Sequence, residues 1–254
     1  MFTLPLIDKP DRLPELPALL AQTGGEFAVS PMMNAGMVAE VCRHGYLPMA
    51  DQFQGHPLLL IKSHHRRMVL NFERLYVSRS TLRRIRRSGF SLSLDRQFDE
   101  AIAGIDRHHE QSWLVPSFLR VLRELYRTPR HGVSVHSVEL TDAQGGLVAA
   151  EVGYRCGTVY TSLSGFHRVS GAGTVQITAL ARLLERQGFA FWDLGMEIPY
   201  KRRLGAVSVP REEFLHLYRR AVTRESAPFP GTPVECRSLL EGYARVAEHG
   251  EMLR

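Results

Sequence analysis

The loop Arg168-Val169-Ser170-Gly171-Ala172-Gly173 carries residue types that can bind a phosphate group. It follows an apolar, β-branched run that predicts a strand and precedes a pattern of apolar residues at helical spacing. Glycines let backbone N–H groups approach a phosphate closely, and the N-terminus of the following helix adds partial positive charge. Arg168, Gly171 and Gly173 therefore predict a site for an acyl-bearing phosphate ligand. The alternative is a tight turn between a strand and a helix that needs two small residues.

A second group of residues that could bind a ligand is strongly basic. Residues 62–87 contain Lys62, Arg66, Arg67, Arg79, Arg83, Arg84, Arg86 and Arg87. Ser80 is predicted to cap a short helix whose Leu82 and Ile85 face inward, which leaves the arginines on the outer side without an acid among them. We expect Arg79, Arg83, Arg84, Arg86 and Arg87 to contact phosphates or an RNA backbone. A solvated helix face is the alternative.

Other reactive side chains give weaker signals. His108, His109 and Glu110 lack the second histidine that a zinc-binding helix needs. His136 alternates with valines in a predicted strand, where a hydrogen-bonded sheet residue is its expected role. Cys156 has no histidine near it in sequence, and the three cysteines are far apart. We therefore expect reduced thiols and no metal site.

Composition places these residues in an ordinary globular chain. The 254 residues are 44% hydrophobic and 23% charged, and no apolar run approaches the roughly 20 residues of a membrane span. The first residues are interrupted by prolines and acids, which is unlike a secretory signal. We expect a cytoplasmic protein that is not in a membrane, and its net charge of +6 favours an anionic partner.

The elements that must position these residues form two predicted parts and a tail. Residues 1–105 make an N-terminal domain with a helical stripe that Gly45 ends, the basic helix, a strand, and a helix beginning near Asp95. Residues 106–223 begin with a helix that opens near Pro116. Three strands in a meander, the glycine loop, its helix and another strand follow. Residues 224–254 are predicted to be a proline-rich linker and a helical tail.

This order of elements is typical of N-acyltransferases of the GNAT type. It predicts the α+β class, with a GNAT-like mixed sheet flanked by helices and a smaller N-terminal α/β domain. The spacing Arg168-x-x-Gly171-x-Gly173 is the one with which that superfamily binds the pyrophosphate of acetyl-CoA. An acyl-CoA-dependent N-acyltransferase is therefore one hypothesis.

Longer stretches of the chain resemble the leucyl/phenylalanyl-tRNA protein transferase family. The resemblance rests on VSPMMNAGMVAEVCRHGYLPM, VSRSTLRRIRRSGFSLSLDRQFDEAI, SWL, HSVEL, LVAAEVGYRCGTVYTSLSGF and WDLGMEIPYKRRLGAVSVPREEFL. The family combines a GNAT-like domain with an additional N-terminal domain. It transfers Leu or Phe from aminoacyl-tRNA to the α-amino group of proteins that begin with Arg or Lys, and so marks them for degradation by the N-end rule. The resemblance implies aminoacyl-tRNA as co-substrate, no cofactor, and tRNA binding by the basic helix.

The resemblance also implies an apolar pocket for the aminoacyl side chain. We expect it to be formed by Trp113, Gly165, Ile177, Leu180 and Leu184. The further substrate-binding candidates are Leu163, Ser164, Phe166 and Gly195. Ile177, Leu180 and Leu184 could instead form the core stripe of a helix. Trp113 could instead anchor the core or stack on a base.

Three positions depart from the family pattern where its chemistry is expected. The Glu of the family's Glu-Ser-Met-Phe is Leu163, the Gln of its Asp-Cys-Gln is Gly195, and the Lys of its Ala-Ser-Lys is Thr174. The aspartate is retained as Asp193. Glu151 lies on the strand beside Leu163 and could replace the lost carboxylate if the hairpin register turns it toward the site. Asp193 could bind the substrate amine or cap the next turn, and Glu151 could be solvated on a sheet face.

Three functional hypotheses follow. The first is an aminoacyl-tRNA-dependent protein transferase with Asp193 and Glu151 as catalytic candidates and Gly165 and Gly195 opening the site. The second is the acetyl-CoA-dependent acyltransferase, and the third is a catalytically silent RNA-binding relative, which the missing Glu and Gln favour. The basic helix supports the first and third, since CoA does not need five arginines so far upstream.

Overall fold

A three-stranded antiparallel sheet and two helices form most of the N-terminal region. The computed structural model describes residues 4–108 and 113–243. The strands are β1 (Phe27–Ser30), β2 (Leu47–Phe53) and β3 (His56–Lys62), and β3 lies in the centre. Helices α1 (Leu16–Thr23) and α2 (Ala35–Arg43) belong to the same region, as does a short 3-10 helix at Pro10–Glu15. Asn34 caps α2. Gly45 follows the end of α2 with φ +82°, and the sequence predicted that this glycine ends the helix.

The large sheet has eight strands in the order β10-β4-β9-β8-β7-β6-β5-β11. They are β4 (Arg66–Leu70), β5 (Ser91–Leu94), β6 (Val133–Thr141), β7 (Leu147–Cys156), β8 (Val159–His167), β9 (Phe191–Asp193), β10 (Val207–Pro210) and β11 (Val234–Glu235). The pair β8–β9 is parallel and the other pairs are antiparallel. A mixed sheet between helices, with a smaller sheet beside it, confirms the predicted α+β class.

Helices cover both faces of the large sheet. They are α3 (Arg79–Ser88), α4 (Phe98–His108), α5 (Pro116–Arg127), α6 (Ala172–Arg186), α7 (Pro199–Arg203), α8 (Arg211–Ala221) and α9 (Cys236–Leu239), with a 3-10 helix at Phe72–Arg74. One core cluster joins the sheet to α2, α4, α5 and α8, and a second joins it to α3, α6 and α9. Strands β4 and β5 precede residue 105, so the sheet takes strands from both sides of the predicted domain boundary.

Two predicted helix starts are wrong by two or three residues. The cap of α3 is Ser78 and not Ser80, because the Ser78 hydroxyl accepts the Thr81 N–H at 3.1 Å while Ser78 itself is extended. Helix α4 starts at Phe98 and not near Asp95. Asp95 has φ +60°, and the next two N–H groups donate to Glu139 across the sheet, so the chain turns before it becomes helical.

Other predictions for single elements agree with the structure. Helix α5 opens at Pro116, and the turn at residues 143–146 joins β6 to β7. Cys42, Cys156 and Cys236 are free and buried. Every helix within residues 4–108 and 113–243 is too short or too polar to cross a membrane. His109 and Glu110, and the part of the tail from residue 244 onward, lie outside the described residues.

Candidate active site

A cavity opens where the two parallel strands of the large sheet separate. Strands β8 and β9 pair from Val159–Phe191 to Thr161–Asp193, and there β9 ends while β8 continues to His167. The cavity has a volume of about 670 Å³. Residues 162–167 of β8 line one side, and residues 194–196 with α7 line the other. A gap between splayed strands is a common place for a ligand, because it exposes backbone and side chains together.

Further walls come from both parts of the chain. Gly173, Thr174, Gln176 and Ile177 belong to the N-terminal half of α6, and Trp113 precedes α5. The small sheet supplies Leu47, Pro48, Met49 and Lys62. The cavity therefore needs the small sheet as well as the large one.

A bulge in β8 shapes the cavity wall. Ser162 lies opposite Gly153 and Ser164 lies opposite Val152, so Leu163 is an extra residue on β8. A bulge breaks the alternation of a strand and re-aims its side chains. Ser162, Leu163, Ser164 and Gly165 consequently all line the cavity. Simple alternation along TSLSGF could not have predicted this arrangement.

Glu151 is a buried carboxylic acid in the cavity wall. It lies opposite Gly165 on β7 and is 7% exposed. Its Oε1 accepts the Ser162 hydroxyl at 3.0 Å, and Ser162 Oγ accepts the Trp192 indole N–H at 2.9 Å. Burial raises the pKa of Glu151 to about 7, against the opposing effects of the Ser162 hydrogen bond and the charge of Lys201. The register thus turns Glu151 toward the cavity, and its replacement of the carboxylate that the family resemblance implies at residue 163 stays a prediction.

Gly165 leaves the room that Glu151 needs. A Cβ on Gly165 would lie 2.9 Å from the Cβ of Glu151 and 2.9 Å from the carbonyl oxygen of Ala150. These separations are too short for a side chain at residue 165 without movement of β7. The glycine at residue 165 therefore allows β8 to lie this close to β7 beside Glu151.

Lys201 is a buried cation on the opposite side of the cavity. It belongs to α7 and is 6% exposed, and its Nζ donates to the carbonyl oxygens of Leu194 at 2.5 Å and Met196 at 3.0 Å. Burial lowers the pKa of Lys201 to about 8, although Asp193 and Glu151 favour its charged form. Nothing in the sequence pattern indicates that Lys201, Ser162 and Trp192 belong to this site. Lys201 sits in a short helix after the splayed strand, and only the gap between the strands makes that position part of a site.

The remaining charged lining is mostly basic or histidine. Lys62, His64, His108 and His167 line the cavity together with Glu151 and Lys201. Burial lowers the pKa of His64 to about 4, so its imidazole is neutral at pH 7. Glu151 is the one acid of the lining within residues 4–108 and 113–243.

Asp193 lies behind the cavity rather than in its lining. Its carboxylate pairs with Arg67 at 2.7 Å and 2.9 Å, and it also accepts the Thr161 hydroxyl at 3.2 Å and the Gly195 N–H at 2.9 Å. Both Asp193 and Arg67 are almost fully buried. Four hydrogen bonds occupy the carboxylate, so Asp193 holds Gly195 in place and presents no free oxygen to a ligand.

The glycine loop adjoins the basic helix. Gly171 caps α6 with φ +78°, and a Cβ there would lie 2.7 Å from Nε of Arg84. Gly173 lines the cavity, whereas Gly171 and Arg168 do not. Arg168 pairs with Glu100 at 3.2 Å and donates to the Leu147 carbonyl at 3.1 Å. The loop therefore links α3 to the mouth of the cavity, and its arginine is held by other protein groups.

The arginines of α3 form an exposed basic surface. Arg79, Arg83, Arg84, Arg86 and Arg87 are all exposed, while Ile85 is buried and Leu82 is partly buried. Within the described part of the chain, none of the five forms an ion pair with an acid. Unneutralised guanidinium groups on one helix face are suited to phosphates.

The predicted apolar pocket residues divide into two groups. The cavity is lined by Trp113, Leu163, Ser164, Gly165, Phe166, Ile177 and Gly195. Leu180 and Leu184 are fully buried in the core between α6 and the sheet and do not line it. The first two turns of α6 thus face the cavity, whereas Leu180 and Leu184 farther along the helix face the core.

His136 is a hydrogen-bonded residue of the sheet outside the cavity lining. Its Nδ1 and Nε2 lie 2.7 Å from Asp95 Oδ2 and from Ser134 Oγ, and Phe229 packs edge-on against its ring. Cys156 is buried, and burial raises its thiol pKa to about 11. Neither residue reaches the cavity.

Comparison with known proteins identifies relatives of this chain. Residues 69–219 match the family model described as leucyl/phenylalanyl-tRNA protein transferase. A leucyl/phenylalanyl-tRNA protein transferase of Azotobacter vinelandii is 32% identical over 79% of this chain and 87% of the relative. One of Rubrobacter xylanophilus is 30% identical over 75% of this chain and 96% of the relative.

One solved structure is the C-terminal domain of a protein from Agrobacterium fabrum named "Putative Lysylphosphatidylglycerol Synthetase". It is 12% identical to this chain, with a TM-score of 0.45. It covers 84% of this chain and 77% of that chain. A TM-score below 0.5 does not establish a common fold.

Proposed function

The chain belongs to the leucyl/phenylalanyl-tRNA protein transferase family, and we propose that the cavity between β8 and β9 is where its reaction takes place. The family joins the amino acid of an aminoacyl-tRNA to the N-terminal α-amino group of a protein. The chain is thus an aminoacyltransferase, with charged tRNA and a protein as its substrates. The observation that carries the proposal is Glu151, a buried acid with a pKa of about 7 in the cavity wall.

The reaction needs one proton acceptor in the cavity. The neutral α-amine attacks the carbonyl carbon of the aminoacyl ester, and a C–N bond forms as the carbonyl oxygen becomes negative. The Glu151 carboxylate accepts a proton from the nitrogen and returns it to the departing ribose oxygen as the C–O bond breaks. The pKa of about 7 suits both steps near neutral pH. Ser162 and Trp192 orient the carboxylate.

The tRNA would approach along α3 and the glycine loop. The arginines of α3 would bind phosphates of the acceptor stem, and Arg84 lies beside Gly171 at the start of α6. The N-terminus of α6 and Gly173 then lead into the cavity. This arrangement supports binding of the 3′ end there. It favours tRNA over acetyl-CoA, because Arg168 is paired with Glu100.

The side chain of the transferred amino acid would bind among apolar residues. Trp113, Leu163, Phe166 and Ile177 line the cavity and offer such a surface. Leu or Phe fits this lining better than a charged amino acid does, since a charge would be desolvated there without a partner. Gly165 and Gly195 widen the cavity beside these residues.

The acceptor is proposed to begin with Arg or Lys, as in the family. Glu151 is the acid that could approach a cationic N-terminal residue in the described cavity wall. Because Lys62 and Lys201 also line the cavity, acceptors with acidic N-terminal residues are the informative comparison. Charged tRNA is a cytoplasmic substrate, and we place the reaction in the cytoplasm.

The test is transfer of labelled Leu or Phe from charged tRNA to peptides that differ only in their first residue. We expect labelled peptide when the first residue is Arg or Lys, and less label when it is Asp or Glu. A parallel reaction supplies labelled acetyl-CoA in place of tRNA. Label from acetyl-CoA alone would refute the proposal in favour of the acyl-CoA-dependent acyltransferase, and label from neither would indicate the silent RNA-binding relative.

A further inference from the structure

Lys201 presents an unused N–H group at the cavity. An ammonium group carries three N–H donors, and two of them bond to the carbonyl oxygens of Leu194 and Met196. In the described part of the chain the third N–H has no acceptor. Lys201 lines the cavity, so this N–H can reach a molecule that enters it.

The position of Lys201 suits a group that stabilises negative charge. The two carbonyls that hold it flank Gly195, which also lines the cavity and has no side chain to cover Lys201. Glu151, the proposed proton acceptor, lines the same cavity and interacts electrostatically with Lys201. A substrate in the cavity would therefore meet both an acid and a cation.

We propose that Lys201 is a catalytic residue that donates a hydrogen bond to the carbonyl oxygen of the aminoacyl ester as that oxygen becomes negative. This inference rests on the proposed function. The α-amine forms the C–N bond, the π electrons of the carbonyl move to the oxygen, and the Lys201 N–H stabilises it. When the C–O bond to the ribose breaks, the carbonyl re-forms and Lys201 keeps its proton.

A purely structural role for Lys201 is the competing explanation. Lys201 could serve only to hold residues 194–196. However, the N–H of Gly195 donates to Asp193, its carbonyl accepts the Met68 N–H, and the Leu194 N–H donates to the Met68 carbonyl. These three bonds hold the segment without Lys201, so removal of the ammonium group leaves its backbone anchored.

The charged groups around Lys201 predict how the reaction depends on pH. Those that face it or share its cavity are Glu151, Asp193, Arg67, Lys62, His64, His108 and His167. Lys201 must keep its proton to act as a donor, and its pKa is about 8. Glu151 must lose its proton to act as a base, and its pKa is about 7. We therefore expect kcat to rise through pH 7 and to fall above pH 8.

The experiment compares Lys201→Met, Lys201→Arg and the control Arg202→Met by single-turnover and steady-state transfer from leucyl-tRNA to a peptide. Arg202 is the exposed neighbour of Lys201 in α7 and pairs with Glu197 outside the cavity lining. We expect Lys201→Met to lower kcat about 100-fold with KM for leucyl-tRNA changed less than about threefold, the range for loss of one oxyanion donor. Arg202→Met should keep the wild-type kcat.

Lys201→Arg keeps a cation whose pKa is far above 8, so its kcat should no longer fall above pH 8. A structural role alone predicts instead a higher KM, a lower Tm and an unchanged alkaline limb. Two results would overturn the role of Lys201 while the proposed function stands. One is a kcat of Lys201→Met within about threefold of wild type, and the other is a kcat of Lys201→Arg that still falls above pH 8 as in wild type. No transfer by the wild-type protein would overturn both.

Discussion

At the residue scale, the proposed reaction site contains the acid Glu151, whereas the family resemblance implies an acid at residue 163, which is Leu in this chain. Glu151 lies on the adjacent strand opposite Gly165, and its carboxylate lines the same cavity as Leu163. A carboxylate moved from one strand to its neighbour can serve the same proton transfer, because the substrate needs only a nearby acceptor.

The burial of Glu151 predicts a cost in stability that depends on pH. The folded protein holds the Glu151 proton up to about pH 7, whereas the unfolded chain releases it near pH 4.5. Stability is therefore lost as the pH rises from about 4.5 to 7, since the folded state binds more protons there. We expect Glu151→Gln to be more stable than wild type by about 1–3 kcal/mol at pH 8 and by little at pH 4.5.

Urea unfolding at the two pH values measures this difference. Glu73→Gln is the matched control, because Glu73 is exposed and its replacement should change stability little at either pH. An equal stability of Glu151→Gln and wild type at pH 8 would contradict the burial of a charged carboxylate. The same variant should also lose transfer, so stability and activity change in opposite directions.

At the element scale, the start of α6 depends on Gly171 for two separate reasons. Its φ of +78° is costly for other residues, and Arg84 leaves no space for a Cβ. Gly188 also has a positive φ, +76°, but nothing lies within 4 Å of its Cβ position. We expect Gly188→Ala to lose about 1 kcal/mol from the backbone alone, and Gly171→Ala to lose more.

Removal of the Arg84 side chain should relieve the steric clash with a Cβ at residue 171. In the double variant Gly171→Ala with Arg84→Ala, we expect part of the lost stability to return, and a double-mutant cycle measured by urea unfolding quantifies the coupling. Strict additivity of the two single changes would show that Arg84 does not pack against the loop.

Helix α3 is predicted to supply salt-dependent affinity for tRNA. Replacement of Arg83 and Arg87 by Gln should weaken tRNA binding and lower the slope of log K against log salt by about 1 for each phosphate that the variant no longer binds. Fluorescence anisotropy at salt concentrations from about 50 to 200 mM measures the slope, because affinity for phosphates changes strongly over this range. Arg120 and Arg127 are exposed arginines of α5, and their replacement is the matched control. An equal weakening by the α3 and α5 replacements would mean that binding follows net charge alone.

The sequence predicted the presence of helices α3 and α5 better than it predicted where helices begin. The periodicity around Phe118 and the Pro116 start identify α5, and the basic residues of α3 stand out as a segment. The cap at Ser78 could not be separated from Ser80, since both are serines beside the same helix. Lys201 and Ser162 could not be assigned to the site, because the splay of β8 from β9 and the bulge at Leu163 depend on pairing between distant segments.

At the scale of the whole molecule, one buried ion pair joins two neighbouring strands of the large sheet that come from opposite sides of the predicted domain boundary. Arg67 on β4 binds Asp193 at the end of β9, and the pair lies behind the cavity floor. Sequence analysis took Asp193 as a catalytic candidate, and the structure surrounds its carboxylate with protein donors. The fold thus uses this acid to hold the strand end that shapes the site, and the domain boundary at residue 105 stays a prediction.

Loss of Arg67 should destabilise the entire molecule. Arg67→Met leaves the Asp193 carboxylate buried without its partner, and we expect a loss of about 3–5 kcal/mol in one cooperative urea transition. Arg67→Met with Asp193→Leu should recover part of this loss, because the unpaired charge is gone. Arg66→Met is the control, since Arg66 is exposed and its guanidinium donates to the hydroxyl and the carbonyl oxygen of Ser208. Two separate transitions would instead support domains that unfold independently at the predicted boundary.

We propose that Glu151 performs the proton transfer, although the family resemblance implies an acid at residue 163. The most direct test measures leucyl transfer from charged tRNA to an Arg-initiated peptide by wild type, Glu151→Gln, and Glu151→Gln with Leu163→Glu. We expect transfer by wild type and a loss of about 100-fold or more in Glu151→Gln, the range for removal of a general base. We expect recovery of at least about tenfold when the acid is placed at residue 163. Wild-type activity that survives unchanged in Glu151→Gln would contradict it.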